Sequence, residues 1–137
     1  MTKPVLDVPQ MQHLQELGLE LDYDTLYRYV KFEDTDWMLK PFSDLNIIGI
    51  SCKYIPAYTL QDVLDALPDF IDEYCLIIDM SFGVIRYDNL KRKDSPILKE
   101  TYFDNEDKYL IDAAYEMLCW CVENGHLKMK GNENKSI

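Results

Sequence analysis

The sequence is poor in several features that would assign it to a class of protein. Of its 137 residues two are histidine and five are glycine, and no two glycines form a G-x-G. The chain therefore lacks a phosphate-binding glycine loop, and it contains neither a G-x-S-x-G nor an H-E-x-x-H motif. Its apolar runs are far shorter than the ~20 residues that cross a bilayer. No apolar signal segment opens the chain, so we expect a cytoplasmic protein without a membrane partner.

Basic residues are also scarce. Fourteen lysines and arginines stand against 25 acidic residues, which gives a formal net charge of −11 and a pI of about 4.5. This balance opposes direct binding to nucleic acid. The hydrophobic fraction of 47% is that of an ordinary globular protein. Since the chain is too short to divide into two pieces with good cores, we expect a single domain over residues 1–137.

Four cysteines occur without any sign of a secretory context, so we expect all of them to be reduced. Cys119 and Cys121 lie two residues apart on a predicted helix, where about 200° of rotation separates their side chains. The helical phase predicts that Cys121 is buried and that Cys119 lies on the solvated side. Because two such thiols cannot bind one metal ion, we expect no metal site and no cofactor.

The N-terminal half predicts a helix and two or three strands. Asp7 can cap a helix that runs to Leu19, with Gly18 as its stop. The segment Leu26–Phe32 is typical of a strand, and Trp37–Leu39 can pair with it across an acidic turn. For Asn46–Cys52 the periodicity does not separate a buried strand from an extended arm.

The second half predicts two helices and three strands. Thr59 begins a helix that Pro68 ends, and one face of this helix carries Leu60, Val63, Leu64 and Leu67. Tyr74–Met80 and Val84–Asp88 form a hairpin, to which Leu98–Phe103 can add a third strand. The strongest prediction is the helix Lys108–Asn124, whose apolar arc is wide enough to need covering by a sheet and by a further element.

These elements predict an α+β fold. A mainly antiparallel sheet of three to five strands packs against the long C-terminal helix, with one or two shorter helices from the N-terminal and central parts. In this prediction only Lys108, Asp112, Glu116, Cys119 and Glu123 of the long helix face water. Residues 128–137 form a polar tail that we expect to be flexible.

Three segments of the chain carry a resemblance. Leu14-Gln-Glu-Leu-Gly-Leu-Glu-Leu-Asp22, Ile55–Pro68 and Leu110–Lys128 resemble, in this order, segments of short open reading frames in phages, prophages and mobile elements of Bacteroidetes. The second resembles a "P-x-W/Y-S/T-L" segment, and the third is similar to a helix written "AA-x-x-M-x-x-W-L-x-E-x-G-Y". The resemblance implies a small phage or mobile-element protein, and it carries over no catalytic residue.

Two groups of residues are candidates for binding a partner. Between Asp62 and Asp79 the chain contains acidic residues and no basic one. These carboxylates either imitate the phosphates of DNA or only keep the protein in solution. The second group is aromatic, because the chain has ten tyrosines and two tryptophans, more than one core of this size needs. The candidate residues are Asp62, Asp65, Asp69, Asp72, Glu73, Tyr27, Tyr29 and Trp37.

One carboxylate, Asp79, interrupts an apolar strand. Such a carboxylate faces water, which for Asp79 means the end of the face shared with Cys75 and Ile77, or it pairs with another group, or its pKa is shifted. Overall the sequence predicts a protein that is not an enzyme. We expect an accessory protein that binds an unidentified protein, which could belong to the host, and a homodimer also stays open. The alternatives are an acidic DNA mimic that inhibits a host nucleic-acid enzyme and, last, a small carboxylate-based enzyme.

Overall fold

The structure is a computed structural model that describes residues 3–41, 52–91, 94 and 97–127. Within these ranges the chain forms three helices and seven strands. In chain order they are α1 (Val8–Glu16), β1 (Tyr27–Lys31), β2 (Met38–Pro41), β3 (Lys53–Ala57), α2 (Leu60–Ala66), β4 (Phe70–Ile71), β5 (Tyr74–Asp79), β6 (Val84–Asp88), β7 (Ile97–Tyr102) and α3 (Leu110–Glu123). No helix in the described ranges combines the length and the apolar character that crossing a membrane requires.

The α+β class is confirmed, but the expectation of one sheet of three to five strands is wrong. The strands form two antiparallel sheets, one in the order β2-β1-β3 and one in the order β4-β5-β6-β7. The division follows from the pairing of β3. β3 pairs back with β1, and α2 follows it directly, so the chain leaves the first sheet through a helix before the second sheet begins.

α1 begins as predicted at Asp7. The Asp7 carboxylate accepts a hydrogen bond from the Gln10 backbone N–H at 2.9 Å, and the Gln10 side chain accepts one from the Asp7 N–H at 3.0 Å. These two bonds satisfy amides that would otherwise have no partner in the first turn. The helix buries Met11 and Leu14 completely, and Gly18 follows it with a φ of +100°.

The three-stranded sheet confirms two predicted strands and adds one that the sequence did not indicate. β1 pairs with β2 across the acidic turn, as expected. β3 was missed because Pro56, which has no N–H to donate, interrupts its pattern. In the described strand order β3 lies at an edge, where this proline is tolerated. The predicted strand or arm at Asn46–Cys52 lies outside the described residues, except for Cys52, which precedes β3.

α2 and the hairpin that follows it are confirmed. The Thr59–Asp62 capping box begins α2, and Pro68 follows its last turn. β5 and β6 pair across the predicted turn, in which Gly83 has a φ of +64°. A Cβ atom at Gly83 would lie 2.1 Å from the backbone carbonyl oxygen of Phe103, so this position requires glycine. β5 is half-buried along its whole length rather than buried on most of both faces.

The core lies between α3, α2 and the inner face of the four-stranded sheet. α3 packs on α2, β7 and β6. From α3 the completely buried side chains are Ala113, Ala114, Met117, Leu118 and Cys121. They meet Ile85 and Tyr87 of β6, which are also completely buried. The long helix is therefore covered by a sheet and by a second helix, as its wide apolar arc predicted.

Candidate functional site

An open groove of about 530 Å³ lies between β7 and α3, with α1 at one flank. We call it the β7–α3 groove. β7 contributes four consecutive residues, Lys99 to Tyr102, and α1 contributes His13. The α3 side is formed by Lys108, Tyr115, Glu116, Cys119, Trp120 and Glu123. Charged, polar and aromatic side chains from three elements therefore converge on one depression.

The groove lies between one strand and one helix that pack on each other. Six residues of β7 span about 20 Å, and 14 residues of α3 span about 21 Å. Thr101 fixes their distance, because its buried hydroxyl donates a hydrogen bond to the Ala113 carbonyl oxygen at 2.9 Å. The walls of the groove are therefore held by the fold itself and do not depend on a loop.

Charges of both signs line the groove. Lys108, just before α3, forms an ion pair with Glu116 on the helix, and the Tyr102 hydroxyl donates a hydrogen bond to Glu100 on β7. Hydrogen bonding to the Glu100 carboxylate, above all, raises the pKa of Tyr102. Glu123 lines the other end, where the groove closes with Trp120. Three glutamates face two lysines, so the groove has a small excess of negative charge.

The nucleophilic groups of the groove are held in their protonated forms. Burial raises the pKa of the Cys119 thiol to about 11, against a smaller opposing effect of its hydrogen bond with Tyr115. Burial also raises the pKa of Tyr115, and its hydrogen bond with Cys119 adds to the shift. The ring of His13 lies 6.4 Å from that of Tyr115. A thiol nucleophile needs a lowered pKa, so this arrangement favours a packing role for Cys119.

The prediction that Cys119 lies on the solvated side of the helix is wrong. Its exposed fraction is 7%, although Glu116 and Glu123 on the same side of α3 are exposed. Helical phase gives the direction of the side chain but not how much of its surroundings the core fills: Cys119 belongs to the buried core cluster and forms a hydrogen bond with Tyr115, one turn earlier on α3. The prediction that Cys121 is buried is confirmed, with an exposed fraction of 0%. All four cysteines are free thiols.

Asp112, also predicted to face water, is half-buried. Its carboxylate accepts hydrogen bonds from Lys3 at 2.7 Å and from Gln10 at 3.0 Å, which tie the N-terminal segment to the first turn of α3. Burial alone would raise the pKa of Asp112, but the hydrogen bonds of Lys3 and Gln10 outweigh it and the net shift is downward. Asp112 thus has a structural role beside the groove.

Several of the candidate acidic residues are engaged within the chain. Asp62 accepts hydrogen bonds from the Thr59 N–H and hydroxyl at 2.9 and 3.0 Å, and it caps α2. Asp65 accepts one from Gln61 at 2.7 Å, and Glu73 one from Asn89 at 3.2 Å. Asp69 and Asp72 are exposed in the segments around β4, where Asp72 has a φ of +53°. The acidic residues are thus distributed over a helix, the bend before β4 and the turn after it.

The candidate aromatic residues belong to the three-stranded sheet and its β1–β2 connection. Tyr27 has an exposed fraction of 37%. Tyr29 is half-buried, and its hydroxyl donates a hydrogen bond to the Leu6 carbonyl oxygen at 2.8 Å. Burial raises the pKa of Tyr29, and Asp7 adds to the shift. Trp37 packs against the core. Tyr29 and Trp37 therefore contribute to the packing of the sheet, and Tyr27 is the most exposed of the three.

Asp79 ends β5 on the face that it shares with Cys75 and Ile77, as the strand pattern predicted. Its carboxylate accepts hydrogen bonds from the backbone N–H groups of Ser81 and Phe82 at 3.0 and 3.2 Å. It also lies 3.6 Å from the Arg86 guanidinium on the neighbouring strand, whose Nε donates to Asp88 at 3.1 Å. Asp79 thus holds the β5–β6 turn and pairs with Arg86, a partner that the sequence analysis did not identify.

The groove was not predicted from the sequence, although part of it had a signal. Four of the five residues of the predicted long helix that were expected to face water, all except Asp112, line the groove together with Tyr115 and Trp120. The strand side had no signal, because the position of β7 in the sheet follows from the tertiary strand order. Among the residues that the structure describes, no cluster of three or more histidine, cysteine or acidic side chains could hold a metal ion. Comparison of the chain with protein-family models, with curated proteins and with solved structures gives no match.

Proposed function

We propose that this chain is a small accessory protein of a phage or mobile element and that it acts by binding another protein at the β7–α3 groove. The setting rests on the resemblance of the three sequence segments. The binding role rests on one observation, the convergence of charged and aromatic side chains on an open groove whose thiol has a raised pKa. Perturbed pKa values concentrate at functional sites, but here their direction disfavours nucleophilic chemistry.

The location of the acidic residues gives less support to a DNA mimic. Such a mimic needs an array of free carboxylates with phosphate-like spacing, whereas Asp62, Asp65 and Glu73 each accept a hydrogen bond inside the chain. A carboxylate-based enzyme around Asp79 has less support for a similar reason, because Asp79 is held by two backbone amides and by Arg86.

A charge exchange in the groove tests the proposal. The double variant Lys99→Glu with Glu123→Lys reverses charges at the groove without changing the net charge of the protein. Tagged wild-type protein and the variant are used to capture proteins from a Bacteroidetes host lysate, and the captured proteins are quantified by mass spectrometry. We expect a protein recovered with the wild type to fall about tenfold or more with the variant, because charge complementarity governs partner choice.

The matched control makes the same exchange in the other sheet. Glu33→Lys with Lys53→Glu reverses one acid and one base beside a separate depression that β1 and β3 line together with Cys52. We expect this control to capture the same protein at the wild-type level. Equal recovery with both double variants would contradict a binding role for the groove.

A further inference from the structure

The outer edge of β7 bears on what the groove can bind, because its backbone groups can form hydrogen bonds in addition to those of the groove side chains. In the part of the chain that the structure describes, β7 is the last strand of its sheet and pairs on one side with β6. Phe103, the residue after β7, donates its N–H to the Gly83 carbonyl oxygen at 2.9 Å, toward β6. Because backbone direction alternates along an antiparallel strand, Thr101 and Lys99 also point toward β6. The N–H and C=O groups of Glu100 and Tyr102 therefore point away from the sheet.

These outward groups lie in the part of β7 that lines the groove. Glu100 and Tyr102 are both groove residues, and α3 forms the opposite side. A bulge separates them from the start of the strand, because Tyr87 opposes Lys99 while Asp88 opposes Ile97. An exposed strand edge can accept a further strand through main-chain hydrogen bonds, and side-chain pockets then give specificity.

We infer that the β7–α3 groove binds an extended segment of another protein, which adds as a strand to the edge of β7 and alternates apolar with basic residues. The inference rests on the proposed function and names its binding mode. Side chains that point from such a strand toward α3 meet Tyr115, Cys119 and Trp120, which favour apolar residues. Side chains on the other face lie opposite Glu100, where a basic residue is favoured. The net charge of −11 also attracts a basic segment.

A second copy of the chain is a poorer occupant of the same edge. Antiparallel pairing about a two-fold axis places a residue opposite itself at the centre. A pairing that uses most of β7 has its centre at Lys99 or at Glu100. The first sets Lys99 opposite Lys99 of the other copy, and the second sets Glu100 opposite Glu100, so like charges meet in both. Lysine and glutamate on an edge strand are typical of edges protected against self-association. The charge pattern therefore favours a foreign strand.

The probe is a phage-displayed library of random ten-residue peptides, selected on immobilised full-length protein. We expect the enriched peptides to alternate apolar residues with lysine or arginine. Glu100→Pro removes the outward N–H but no hydrogen bond to β6, and we expect it to weaken the selected peptides about tenfold or more. Enrichment of nothing, enrichment of peptides without this alternation, or equal binding to Glu100→Pro would each overturn the inference.

A second variant keeps the inference testable if Glu100→Pro folds poorly, as circular dichroism and the denaturation midpoint would show. Glu100→Lys preserves the backbone, and selection on it should replace basic by acidic residues on one face of the peptide. The control Glu106→Lys makes the same change in the exposed turn after β7 and should leave the selected sequences as they are. An unchanged preference on Glu100→Lys overturns strand addition. If Glu100→Pro still captures the protein that the wild type recovers from the lysate, strand addition is contradicted, but protein binding at the groove is not.

Discussion

The two long sides of α3 differ in what their side chains contact. On the side toward the sheet, Met117 and Cys121 are completely buried against β6 and α2. On the side toward the groove, Glu116 and Glu123 are exposed, and Cys119, at the boundary between the two sides, is buried at the margin of the core while it also lines the groove. One helix thus supplies both the centre of the fold and a wall of the candidate site. A change on one side should affect stability, and a change on the other should affect binding.

The largest effect is expected for Met117→Ala. Met117 has an exposed fraction of 0% in the middle of the packed side, so its truncation leaves a cavity. We expect a loss of about 2–5 kcal/mol in the free energy of unfolding, measured by chemical denaturation. Glu116→Ala is the neighbouring control on the groove side. Its ion pair with Lys108 is exposed, so its loss should cost about 0.5 kcal/mol or less. Similar midpoints for both variants would show that the two sides do not differ as described.

A smaller effect is expected for Tyr87→Phe. Tyr87 is completely buried beneath α3, and its hydroxyl donates a hydrogen bond to the Pro68 carbonyl oxygen at 2.7 Å. Without the hydroxyl this part-buried carbonyl loses its donor, which should cost about 1–3 kcal/mol in the free energy of unfolding.

The same substitution at Tyr102, on the groove side, is the matched control. The Tyr102 side chain is exposed, and its hydroxyl contacts Glu100 on the surface. We expect Tyr102→Phe to leave the denaturation midpoint within error of the wild type. A larger loss for Tyr102→Phe than for Tyr87→Phe would contradict the assignment of the packed side.

The sequence predicted the packed side of α3 well and the groove side poorly, for a physical reason. Burial of Met117 and Cys121 follows from periodicity, because apolar side chains on one face of a helix must be covered. The burial of Cys119 depends on how α3 packs into the core, and the availability of Glu100 on an edge depends on the strand order. Both are long-range arrangements that no local pattern contains.

The two sheets illustrate the same limit. The hairpin β5–β6, the β1–β2 pair, the Asp7 cap and the Thr59–Asp62 capping box were predicted, because turns, caps and alternation are local properties. The division into two sheets was not, because it depends on β3 pairing with β1 across the segment that separates β2 from β3. The proline in β3 also removed the alternation that would have indicated a strand.

For Lys3→Met, a change in the N-terminal segment that contacts the first turn of α3, we expect a loss of about 1 kcal/mol in the free energy of unfolding. Lys3 donates to Asp112, whose pKa is lowered because the hydrogen bonds of Lys3 and Gln10 outweigh the effect of burial. A lowered pKa in the folded state stabilises the protein above the unfolded pKa of about 3.9, and this contribution is lost as the pH falls through the folded pKa.

The difference in the free energy of unfolding between the wild type and Lys3→Met should therefore be constant near neutral pH and shrink below about pH 4. Urea denaturation at a series of pH values measures it. Lys53→Met, an exposed lysine on β3, serves as the control and should differ little from the wild type at any pH. A Lys3→Met difference that persists unchanged to pH 3 would mean that Lys3 stabilises the fold by packing rather than through the Asp112 carboxylate.

The last experiment changes no residue and measures only how accessible the thiols on the two sides of α3 are to a reagent. Burial raises the pKa of Cys119 and of Cys121 to about 11, so about three thiols in ten thousand are ionised at pH 7.5. A thiol reagent with mass-spectrometric readout should therefore modify the half-buried Cys52 and Cys75 first. Cys119 should follow, since it borders the groove, and Cys121 should react last because it is completely enclosed. If Cys121 reacts before Cys119, the side of α3 that we assign to the core is the more accessible one, and the groove is not where the structure places it.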